Sequence, residues 1–576
     1  MKYPKLSEPA VSQEMLDVFR GYRHALRIGD GEFYEMENLS SDSFPILSPR
    51  AKRGVYASPG MAQGLIAKDG LCYVDGGDFV IGETRVPMGL TADEKPKSLI
   101  SMGAYVIVMP DKKYVNTADP ADFGQIEATV KTAAEVTFSL CGADGADYPN
   151  VTASDTAPSA PANLAYWLDT SSEPRVLRRY SASADTWTAV QSSFIKIHSP
   201  GIGLPFSEGD GVRISGVKNE TLSFLNTAAV LWARTPDDIV ISGILDGVIT
   251  QSAEFPITVE RKMPDMDFII ESENRLWGCR YGGGVNEIYA CKLGDFRNWN
   301  CFSGVSTDSY AASVGTDGAF TGAIAHLGYP LFFKEGCVHK IYGDYPANFQ
   351  IQTTSLRGVQ RGCERSLAIV GETLFYKSRS GVCAYDGSLP VEISEALGEE
   401  AYGSAAAGAL GNKYYISMSD GAGAWHLFVY DTLRDMWHRE DGTQAVCFCA
   451  HGGELYYIDY ATEQIRTVRG SGVTEHEPIR WLATTGIIGT DSPDKKYVSR
   501  MEIRMKLSVG ARVSFLAEYD SSGEFEHLFT MTGKNLQSFS VPVRPRRCDH
   551  FRLRIVGEGE AKIFSVCKTV EWGGAR

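Results

Sequence analysis

The sequence has no long hydrophobic run and no recognisable catalytic motif. No stretch of its 576 residues approaches the ~18–20 consecutive apolar residues that a membrane helix needs. It contains no Gly-x-x-x-x-Gly-Lys-Ser/Thr loop, no His-Glu-x-x-His pair and no Gly-x-Ser-x-Gly turn. The first residues, Met1 to Leu6, lack the apolar region of a signal peptide. We therefore predict a protein that is synthesised in a cytoplasm, spans no membrane and is not an enzyme.

The sequence also lacks the cysteine and histidine spacings of metal sites. Its 12 cysteines include no Cys-x-x-Cys pair, and its 10 histidines show no ligand spacing. Cys447 and Cys449 stand two apart on one predicted strand and so share a face, but no second ligand pair accompanies them. Single cysteines on strands are typical of small buried apolar residues in a reducing compartment. We predict no metal site and no cofactor.

Positive charge is scarce relative to negative charge. The 56 Lys and Arg residues against 71 Asp and Glu residues give a net charge of −15. A protein that grips nucleic acid by its phosphates needs a basic surface. One concentrated basic cluster, Arg544-Pro545-Arg546-Arg547, is interpreted as a solvated turn, with a contact to a partner or a phosphate as the alternative. Sequence-specific DNA recognition is therefore not expected.

Paired acidic residues are the candidates for acid–base chemistry. Asp265 with Asp267, and Glu399 with Glu400, could supply the two carboxylates that glycoside hydrolysis uses. Solvated turn residues are the favoured interpretation of both pairs. The run from His438 to Asp441 follows a predicted strand and is also interpreted as an exposed turn. We therefore predict no catalytic, cofactor-binding or metal-binding residue.

A β-unit that recurs along the chain is the strongest positive signal. Its clearest copy holds three runs of strand-forming residues separated by short turns. The spacing of the units, roughly 40–50 residues, is typical of propeller blades. The units are residues 64–115 (split in two), 267–292, 322–345, 366–387, 405–440 and 445–468, of which 267–292 is the clearest.

These units predict an all-β fold with a propeller of about six blades. A single hairpin set cannot bury both of its faces, whereas four-stranded sheets stacked radially cover each other. The segment from Arg53 to Ser58 is predicted to supply a strand that helps to close the ring. A series of ordinary β-sandwiches is the alternative.

The repeat vanishes between Val115 and Asp265, where loop-forming residues and strands of different spacing take its place. We predict an inserted small β-barrel or sandwich there, because insertions are tolerated at exposed loop tips. The predicted domains are an N-terminal extension with the propeller-closing segment (1–63), the first part of the propeller (64–120), the inserted β-domain (121–263), the remaining blades (264–475) and a C-terminal jelly-roll-like β-sandwich (476–576).

Two local patterns refine this organisation. Arg552 to Ile555 alternates charged and aliphatic residues, which is typical of a half-buried antiparallel strand. Gln13 to His24 places Met15, Leu16 and Phe19 on one helical face, so an amphipathic helix is predicted there.

Four stretches outside the insertion carry a family resemblance. They are Arg275-Leu276-Trp277-Gly278 through Asn298-Trp299, Val429-Tyr430-Asp431 with Trp437-His438, Arg552-Leu553-Arg554-Ile555 with Lys562-Ile563-Phe564-Ser565, and Asn38-Leu39 through Arg53-Gly54. On these residues the chain resembles the β-propeller tail proteins of tailed phages. It is similar to the tail nozzles and packaged-DNA stabilisation (plug) proteins of short-tailed phages.

The resemblance implies a structural virion protein located in a phage tail. Such proteins form a ring, usually a homohexamer, that extends the portal and tail adaptor, contacts other tail components and retains packaged DNA. The DNA leaves through the lumen of the ring without sequence-specific binding, and the family catalyses nothing. An acidic chain suits this role, because an acidic lumen repels the phosphates and lets the DNA slide.

Two other functions remain open. One is a receptor-binding or glycan-binding propeller at a tail tip, which could also cleave glycans. Exposed Trp and Tyr residues around the insertion, with paired carboxylates, would favour it. The Ser-x-Asp-x-Gly-x-x-Trp boxes of sialidase-like propellers are absent from the sequence and count against it. The other is a cellular propeller that serves as an interaction scaffold.

Overall fold

The computed structural model of the chain describes residues 11–93, 95–470, 473–474, 477–489, 496–533, 535–541 and 547–572. The predicted fold class is confirmed: the protein is all-β, with propeller-type sheets, an inserted β-domain and a C-terminal β-sandwich. The described residues hold no helix that is both long and apolar enough to cross a membrane. The chain divides into two compact units. The first comprises Met1–Lys97, Phe332–Val338 and Thr353–Arg576, and the second comprises Ser98–Leu331 and His339–Gln352.

The N-terminal segment is built of strands, so the helix predicted at Gln13 to His24 is wrong. The first strand pairs antiparallel with the last strand of the chain, with Met15 opposite Cys567. A helix of this length is only marginally stable in isolation, so the ladder of backbone hydrogen bonds to residues 566–571 outweighs its amphipathic pattern. The strands are β1 (Val11–Leu16), β2 (Gly21–Tyr22), β3 (Glu32–Glu37), β4 (Leu39–Ser40), β5 (Ser48–Pro49) and β6 (Gly54–Ala57).

Residues 62–125 form two four-stranded antiparallel meanders where the sequence indicates one split repeat. The additional strands are only three to five residues long, and polar residues such as Asp78 and Arg85 interrupt the apolar pattern by which strands are predicted. The first sheet is β7 (Ala62–Ala67), β8 (Leu71–Asp75), β9 (Asp78–Ile81) and β10 (Thr84–Val86); the second is β11 (Ser98–Met102), β12 (Tyr105–Met109), β13 (Lys113–Asn116) and β14 (Phe123–Gln125).

The inserted segment has its own core and two sheets. Phe138, Ile197, Val212 and Val259 are fully buried in that core. The eight-stranded sheet runs in the order β15-β26-β22-β23-β24-β21-β16-β25, and β17 to β20 form a separate sheet. The strands are β15 (Ala128–Lys131), β16 (Val136–Cys141), β17 (Thr152–Ser154), β18 (Tyr166–Asp169), β19 (Val176–Ser181), β20 (Thr186–Ala189), β21 (Phe194–His198), β22 (Gly211–Ser215), β23 (Ala228–Arg234), β24 (Asp238–Ser242), β25 (Ile249–Gln251) and β26 (Thr258–Arg261), with a short 3₁₀-helix at Glu220–Leu225.

Propeller-type meanders resume after the insertion. Short 3₁₀-helices lie at Pro346–Asn348, Glu364–Ser366 and Ser394–Leu397. The strands are β27 (Phe268–Ser272), β28 (Arg275–Gly282), β29 (Val285–Ala290), β30 (Tyr310–Ser313), β31 (Phe320–His326), β32 (Tyr329–Lys334), β33 (Cys337–Tyr342), β34 (Gln350–Ser355), β35 (Ala368–Val370), β36 (Thr373–Lys377), β37 (Val382–Tyr385), β38 (Val391–Glu392), β39 (Ala405–Leu410), β40 (Lys413–Ser419), β41 (Trp425–Asp431), β42 (Met436–Arg439), β43 (Ala445–His451), β44 (Glu454–Asp459), β45 (Ile465–Thr467) and β46 (Val473–Thr474).

The last propeller-type sheet is completed by a strand from near the start of the chain. Strand β6 pairs antiparallel with β45, with Val55 opposite Arg466 and Gly54 opposite Thr467. This is the position that the sequence assigns to the ring-closing strand. The same sheet packs on the first one through a cluster that includes Leu71, Tyr456 and Ile458. With the two meanders found in residues 62–125, the described part of the chain holds seven propeller-type sheets.

The C-terminal strands form two sheets, and one of them continues a propeller sheet. Strands β39 to β42 extend through β2 and β3 to β47, β53, β49 and β50, giving ten strands in one sheet. The predicted alternation at Arg552 to Ile555 is confirmed, since Leu553 and Ile555 are buried and both arginines are not. The strands are β47 (Arg480–Thr485), β48 (Lys496–Leu507), β49 (Arg512–Tyr519), β50 (Glu526–Thr532), β51 (Gln537–Val541), β52 (Arg547–Cys548), β53 (Phe551–Glu558) and β54 (Ala561–Trp572).

Candidate functional site

A cleft of about 810 Å3 lies in the first compact unit, at the edge where propeller-type sheets begin. In a four-stranded meander, the start of the first strand, the loop between the second and third strands and the loop after the fourth all reach one edge. Ala62, Ala405 and Ala445 are the first residues of β7, β39 and β43, and all three line the cleft. Loop side chains at this edge can therefore converge on one ligand.

Two aromatic side chains line the cleft. Trp425 begins β41 and is partly buried. Tyr460 follows β44 and is 63% exposed, so its ring is open to a ligand. An aromatic ring with a polar tip offers a large apolar contact and a hydrogen-bonding group at the same place. These two residues give the cleft an apolar face.

Two carboxylates in the cleft have no partner among the described residues. Glu364 is partly buried on its 3₁₀-helix, and Glu463 is exposed in the loop after β44. In the same cleft, Asp459 accepts a hydrogen bond from the backbone N–H of Ala461 at 2.9 Å and lies 3.6 Å from Arg466. Glu364 and Glu463 are therefore available to a ligand.

The wall of the cleft contains a buried side-chain amide whose nitrogen has hydrogen-bond partners and whose oxygen has none among the described residues. Gln63 is 2% exposed, and its Nε2 donates to the backbone oxygen and to Oδ1 of Asp93. Both partners can only accept, so the orientation of the amide is fixed with Oε1 pointing elsewhere. Gln63 Oε1 has no hydrogen-bond partner among the described residues. A buried acceptor left in this state costs about 1–3 kcal/mol.

Backbone contacts hold the wall of the cleft in place. Arg365 donates from Nη1 to the backbone oxygen of Val446 at 3.0 Å, which ties its loop to strand β43. The backbone N–H of Lys97 donates to the backbone oxygen of Gln63 at 2.6 Å. The loop that carries Glu364 is thus fixed to β43, and the strand residue Gln63 is fixed to the segment that carries Lys97. A site held in this way needs little rearrangement to bind.

The cysteine pair noted in the sequence lies in an apolar cluster beside the cleft, and both thiols are unreactive at neutral pH. Cys447 and Cys449 pack in the apolar cluster between β43 and β7. Burial raises the pKa of both thiols, to about 12 for Cys449. Protonated thiols are poor nucleophiles and poor metal ligands at neutral pH. Among the described residues, no group of three or more His, Cys, Asp or Glu side chains is placed to hold a metal ion.

The two carboxylate pairs considered in the sequence do not form catalytic sites in the described structure. Asp265 is paired with Lys112 at 2.8 Å, and Asp267 accepts a hydrogen bond from the backbone N–H of Tyr281. Glu399 and Glu400 are exposed. Of the basic cluster, Arg544, Pro545 and Arg546 lie outside the described residues, and Arg547 begins β52.

The prediction of an exposed turn at His438 to Asp441 is wrong. His438 and Arg439 belong to β42, and His438 and Glu440 are each 4% exposed. Glu440 and Asp441 form ion pairs with the buried Arg53, and these pairs allow the charged residues to be buried. Burial lowers the pKa of His438 to about 3, so this side chain is neutral and structural at neutral pH.

The cleft residues were not found from the sequence. Gln63, Glu364, Trp425, Tyr460 and Glu463 sit in four separate loops or strand ends, with Tyr460 and Glu463 in the same loop, and no contiguous motif links the four. The available signal was positional, because each lies at or beside the end of a strand that reaches the same sheet edge.

Comparisons with known proteins give no family assignment. No family model and no curated protein matches the chain. Similar solved structures include an exo-β-1,3-galactanase from Phanerochaete chrysosporium, at 9% identity and a TM-score of 0.20, covering 52% of this chain and 94% of that one. Another glycoside hydrolase matches at 13% identity and a TM-score of 0.20, covering 51% and 96%. PorZ, a surface component of the type-IX secretion system of Porphyromonas gingivalis, matches at 11% identity and a TM-score of 0.26, covering 88% and 82%.

The glycoside hydrolases among these structures contradict the prediction that the chain is not an enzyme. That prediction depended on missing motifs. Two carboxylates contributed by separate loops can perform glycoside hydrolysis without any contiguous sequence signature. The prediction is therefore withdrawn. TM-scores this low transfer neither an activity nor a substrate to this chain.

Proposed function

We propose that the protein is a glycan-binding β-propeller whose sugar site is the cleft at the edge of β7, β39 and β43. The observation that carries the proposal is the composition of the cleft. It combines the rings of Trp425 and Tyr460 with the uncommitted carboxylates of Glu364 and Glu463. Pockets for small molecules have this build, with apolar and aromatic contact area and a few polar groups that fix orientation.

The chemistry of a sugar matches these groups. One face of a pyranose ring presents C–H groups, which pack against an aromatic ring, while its hydroxyls donate hydrogen bonds to carboxylates. The size of the cleft suits a short oligosaccharide, since ligand pockets typically enclose about 300–1,000 Å3. The open cleft admits a chain that continues beyond the bound residues.

Glycan cleavage at the same site is part of the proposal. Hydrolysis of a glycosidic bond needs two carboxyl groups, about 5–5.5 Å apart for retention and about 6.5–9.5 Å apart for inversion. Glu364 and Glu463 are the candidate pair, because both line the cleft and neither is committed to another described residue. The stereochemistry of the product shows whether the second carboxylate acts as a nucleophile, in retention, or as a general base, in inversion.

Binding to a glycan array tests the sugar site directly. Trp425→Ala and Tyr460→Ala should each lower affinity for any bound glycan by about tenfold or more, since each removes an aromatic contact. Phe302→Ala is the matched control, because Phe302 is 57% exposed but lies outside the cleft. The proposal would be contradicted if the control also lost binding or if the wild-type protein bound no glycan.

Cleavage is tested on the glycans that bind. The release of reducing ends should fall by at least about 10²-fold in Glu364→Gln and in Glu463→Gln, with binding retained. If wild-type protein binds but releases no reducing ends, the site binds sugar without hydrolysing it.

A second candidate function is a ring-forming component of a phage tail. Besides the family resemblance, the ten-stranded sheet favours it, because one continuous sheet joins a propeller sheet to the C-terminal sandwich and can transmit load between them. The proposed partners are further copies of the chain in a ring of six, the portal, the adaptor and other tail components, with packaged DNA passing through the lumen. The proposed location is the virion tail.

Phage particles that lack the chain distinguish the two candidates. A nozzle role predicts heads that package DNA and then lose it. A glycan-binding role at the tail tip predicts full particles that fail to adsorb. Negative-stain images of the purified chain add a second measurement, because a closed ring supports the nozzle role and dispersed monomers oppose it.

A further inference from the structure

We propose that Ser521, His550 and Asp549 form a second site, which hydrolyses carboxylic esters through a serine nucleophile. Ser521 Oγ lies 2.7 Å from Nε2 of His550, and Nδ1 of His550 lies 3.1 Å from Oδ2 of Asp549. A hydroxyl, an imidazole and a carboxylate joined in this order can act as nucleophile, base and the group that orients the base. The proposal is independent of the sugar site.

The two contacts determine which nitrogen of His550 carries the proton. An ionised carboxylate only accepts hydrogen bonds, so Nδ1 carries the hydrogen and donates it to Asp549. Nε2 then keeps a lone pair, which accepts the hydrogen bond that the hydroxyl of Ser521 donates. In this arrangement the imidazole can take the proton of the serine as the serine oxygen attacks.

Backbone hydrogen bonds hold the serine and the histidine next to each other. Tyr519 and Phe551 are opposite residues of β49 and β53, and both are buried. Beyond these residues, the backbone N–H of Asp520 donates to the backbone oxygen of His550 at 3.0 Å. Oδ1 of Asp520 in turn accepts a hydrogen bond from the backbone N–H of Asp549 at 2.7 Å. Paired strands therefore position the nucleophile and the base, as a preorganised site requires.

The turn that carries the serine has an uncommon backbone conformation. Asp520 and Ser521 have φ values of 52° and 51°, in the left-handed region that residues other than glycine rarely adopt. The backbone N–H of Ser522 closes the turn by donating to the oxygen of Tyr519 at 3.1 Å. The backbone N–H of Ser521 donates to no described residue, so it is available to the oxyanion of a tetrahedral intermediate. Conformations of this kind concentrate at functional sites.

The reaction that these groups support is ester hydrolysis in two steps. Ser521 Oγ attacks the carbonyl carbon of the ester, and the serine proton passes to Nε2 of His550. The bond from the carbonyl carbon to the alcohol oxygen then breaks, and the alcohol leaves with that proton. Water attacks the resulting acyl-serine by the same route, which releases the carboxylic acid and restores the serine.

The exposure of the site favours esters over amides. Ser521 is exposed, and the side chains of His550 and Asp549 are 21% and 48% exposed, so a substrate carbonyl can reach the hydroxyl. An open site supplies little binding energy for the transition state. Amides need more stabilisation than esters because an amine is a poorer leaving group than an alcohol. We therefore expect esters to be the substrates.

Covalent labelling of the full chain with a fluorophosphonate tests the nucleophile. The probe reacts with activated serines, and peptide mass spectrometry locates the adduct. We expect an adduct on Ser521 in the wild-type protein and none in Ser521→Ala. Ser522→Ala is the matched control, because Ser522 is an exposed serine of the same turn, and it should be labelled like the wild type. An unlabelled wild-type protein, or an adduct that persists in Ser521→Ala, would overturn the proposal.

Replacement of the base tests whether the serine is activated by His550. His550→Gln should slow labelling by about 10²-fold or more, because no group remains to take the proton. His527→Gln, at an exposed histidine of β50, is the control and should leave the rate unchanged. Equal labelling rates in wild type and His550→Gln would reduce the contact of Ser521 with His550 to a structural hydrogen bond and overturn the proposal.

Asp549 is a positioning residue, and its test compares two substitutions. Asp549→Asn should slow labelling by about tenfold or more, because an amide can hold the imidazole in the wrong tautomer. Asp549→Glu keeps the carboxylate and should recover part of the lost rate, which a purely structural role would not require. Equal rates in the two variants would contradict the role of Asp549.

Turnover is measured with para-nitrophenyl acetate. The wild-type protein should release para-nitrophenol about 10²-fold or more faster than Ser521→Ala, and Ser522→Ala should match the wild type. Far-UV circular dichroism confirms that the variants are folded. A wild-type protein that hydrolyses the ester no faster than Ser521→Ala would overturn the proposal even if the serine is labelled.

Discussion

Arg53 Nη2 lies 2.8 Å from Oε2 of Glu440, and the two side chains are 2% and 5% exposed. The other terminal nitrogen, Nη1, lies 2.7 Å from Oδ2 of Asp441. Arg53 immediately precedes β6, and the two acids connect β42 to β43. A buried ion cluster therefore fixes the ring-closing strand against the loop between two propeller sheets. The Arg53 guanidinium also lowers the pKa of Asp441, to about 2 against the cost of burial.

Removing the arginine should destabilise the first unit strongly. We expect Arg53→Met to lower the free energy of unfolding by about 3 kcal/mol, because the two buried carboxylates would keep only the more distant Arg50 as a counter-charge, at 3.9 Å from Glu440 and 3.5 Å from Asp441. Urea unfolding measures the change. Arg361→Met, at an exposed position, is the control and should change the free energy by less than about 0.5 kcal/mol. A loss below about 1 kcal/mol in Arg53→Met would show that the cluster does not hold the strand.

His438 should make the protein sensitive to acid. Its pKa in the folded protein is about 3, against about 6.5 in an unfolded chain. Between these values the unfolded state binds a proton that the folded state does not. The free energy of unfolding is therefore undiminished above pH 6.5 and falls as the pH drops toward 3.

The size of this effect can be isolated by substitution. Between pH 7 and pH 5, His438 should account for about 2 kcal/mol of lost stability, and His438→Gln should lose that much less over the same interval. His527→Gln, at an exposed histidine, is the matched control. Urea unfolding at both pH values measures the difference. Equal losses in wild type and His438→Gln would place the acid sensitivity elsewhere.

The sequence predicts the strands well where their residues alternate or are strongly β-forming. Arg552 to Ile555 is such a case, and Gly54–Ala57 forms the expected closing strand because Val55 and Tyr56 favour β-structure. The number of sheets and the conformation of the first strand were harder to predict from the sequence. Strand β10 has only three residues, and Val11–Leu16 becomes a strand through pairing with residues far along the chain.

The cleft could not be predicted for a related reason. Gln63 and Tyr460 lie near opposite ends of the chain and meet because the last propeller sheet packs on the first. Nothing local distinguishes Glu364 or Glu463 from a solvated turn residue. The two carboxylates stand out because neither has a partner among the described residues. Only the folded structure shows this.

Gly557 marks a close contact between two sheet strands that tolerates no side chain. A Cβ at this position would overlap the indole ring of Trp481, which is 2% exposed. Gly557→Ala should therefore cost about 1–3 kcal/mol through overpacking. Gly315→Ala is the matched control, because a Cβ there meets no atom within 4 Å. Thermal unfolding compares the two, and equal behaviour would show that the ring moves aside at no cost.

The inserted domain should be removable without loss of the sheets around it. Its first and last strands, β15 and β26, pair with Ala128 opposite Arg261, so the two ends of the insertion are neighbours. Backbones of paired strands lie about 5 Å apart, and a short Gly/Ser link can span this distance. We expect a chain in which the link replaces residues 128–261 to be soluble and to unfold cooperatively.

The cost of the removal should be modest. Asn298 donates a hydrogen bond to Asp210 and accepts one from the backbone N–H of Gly211, both at 2.9 Å, and the deletion removes these two partners. Asn298 would then face water, so the free energy of unfolding should fall by about 1–3 kcal/mol. Circular dichroism and size-exclusion chromatography test this expectation. An insoluble product would show that the insertion belongs to the core of its unit. A folded product that no longer binds glycans would contradict the placement of the sugar site in the cleft of the first unit.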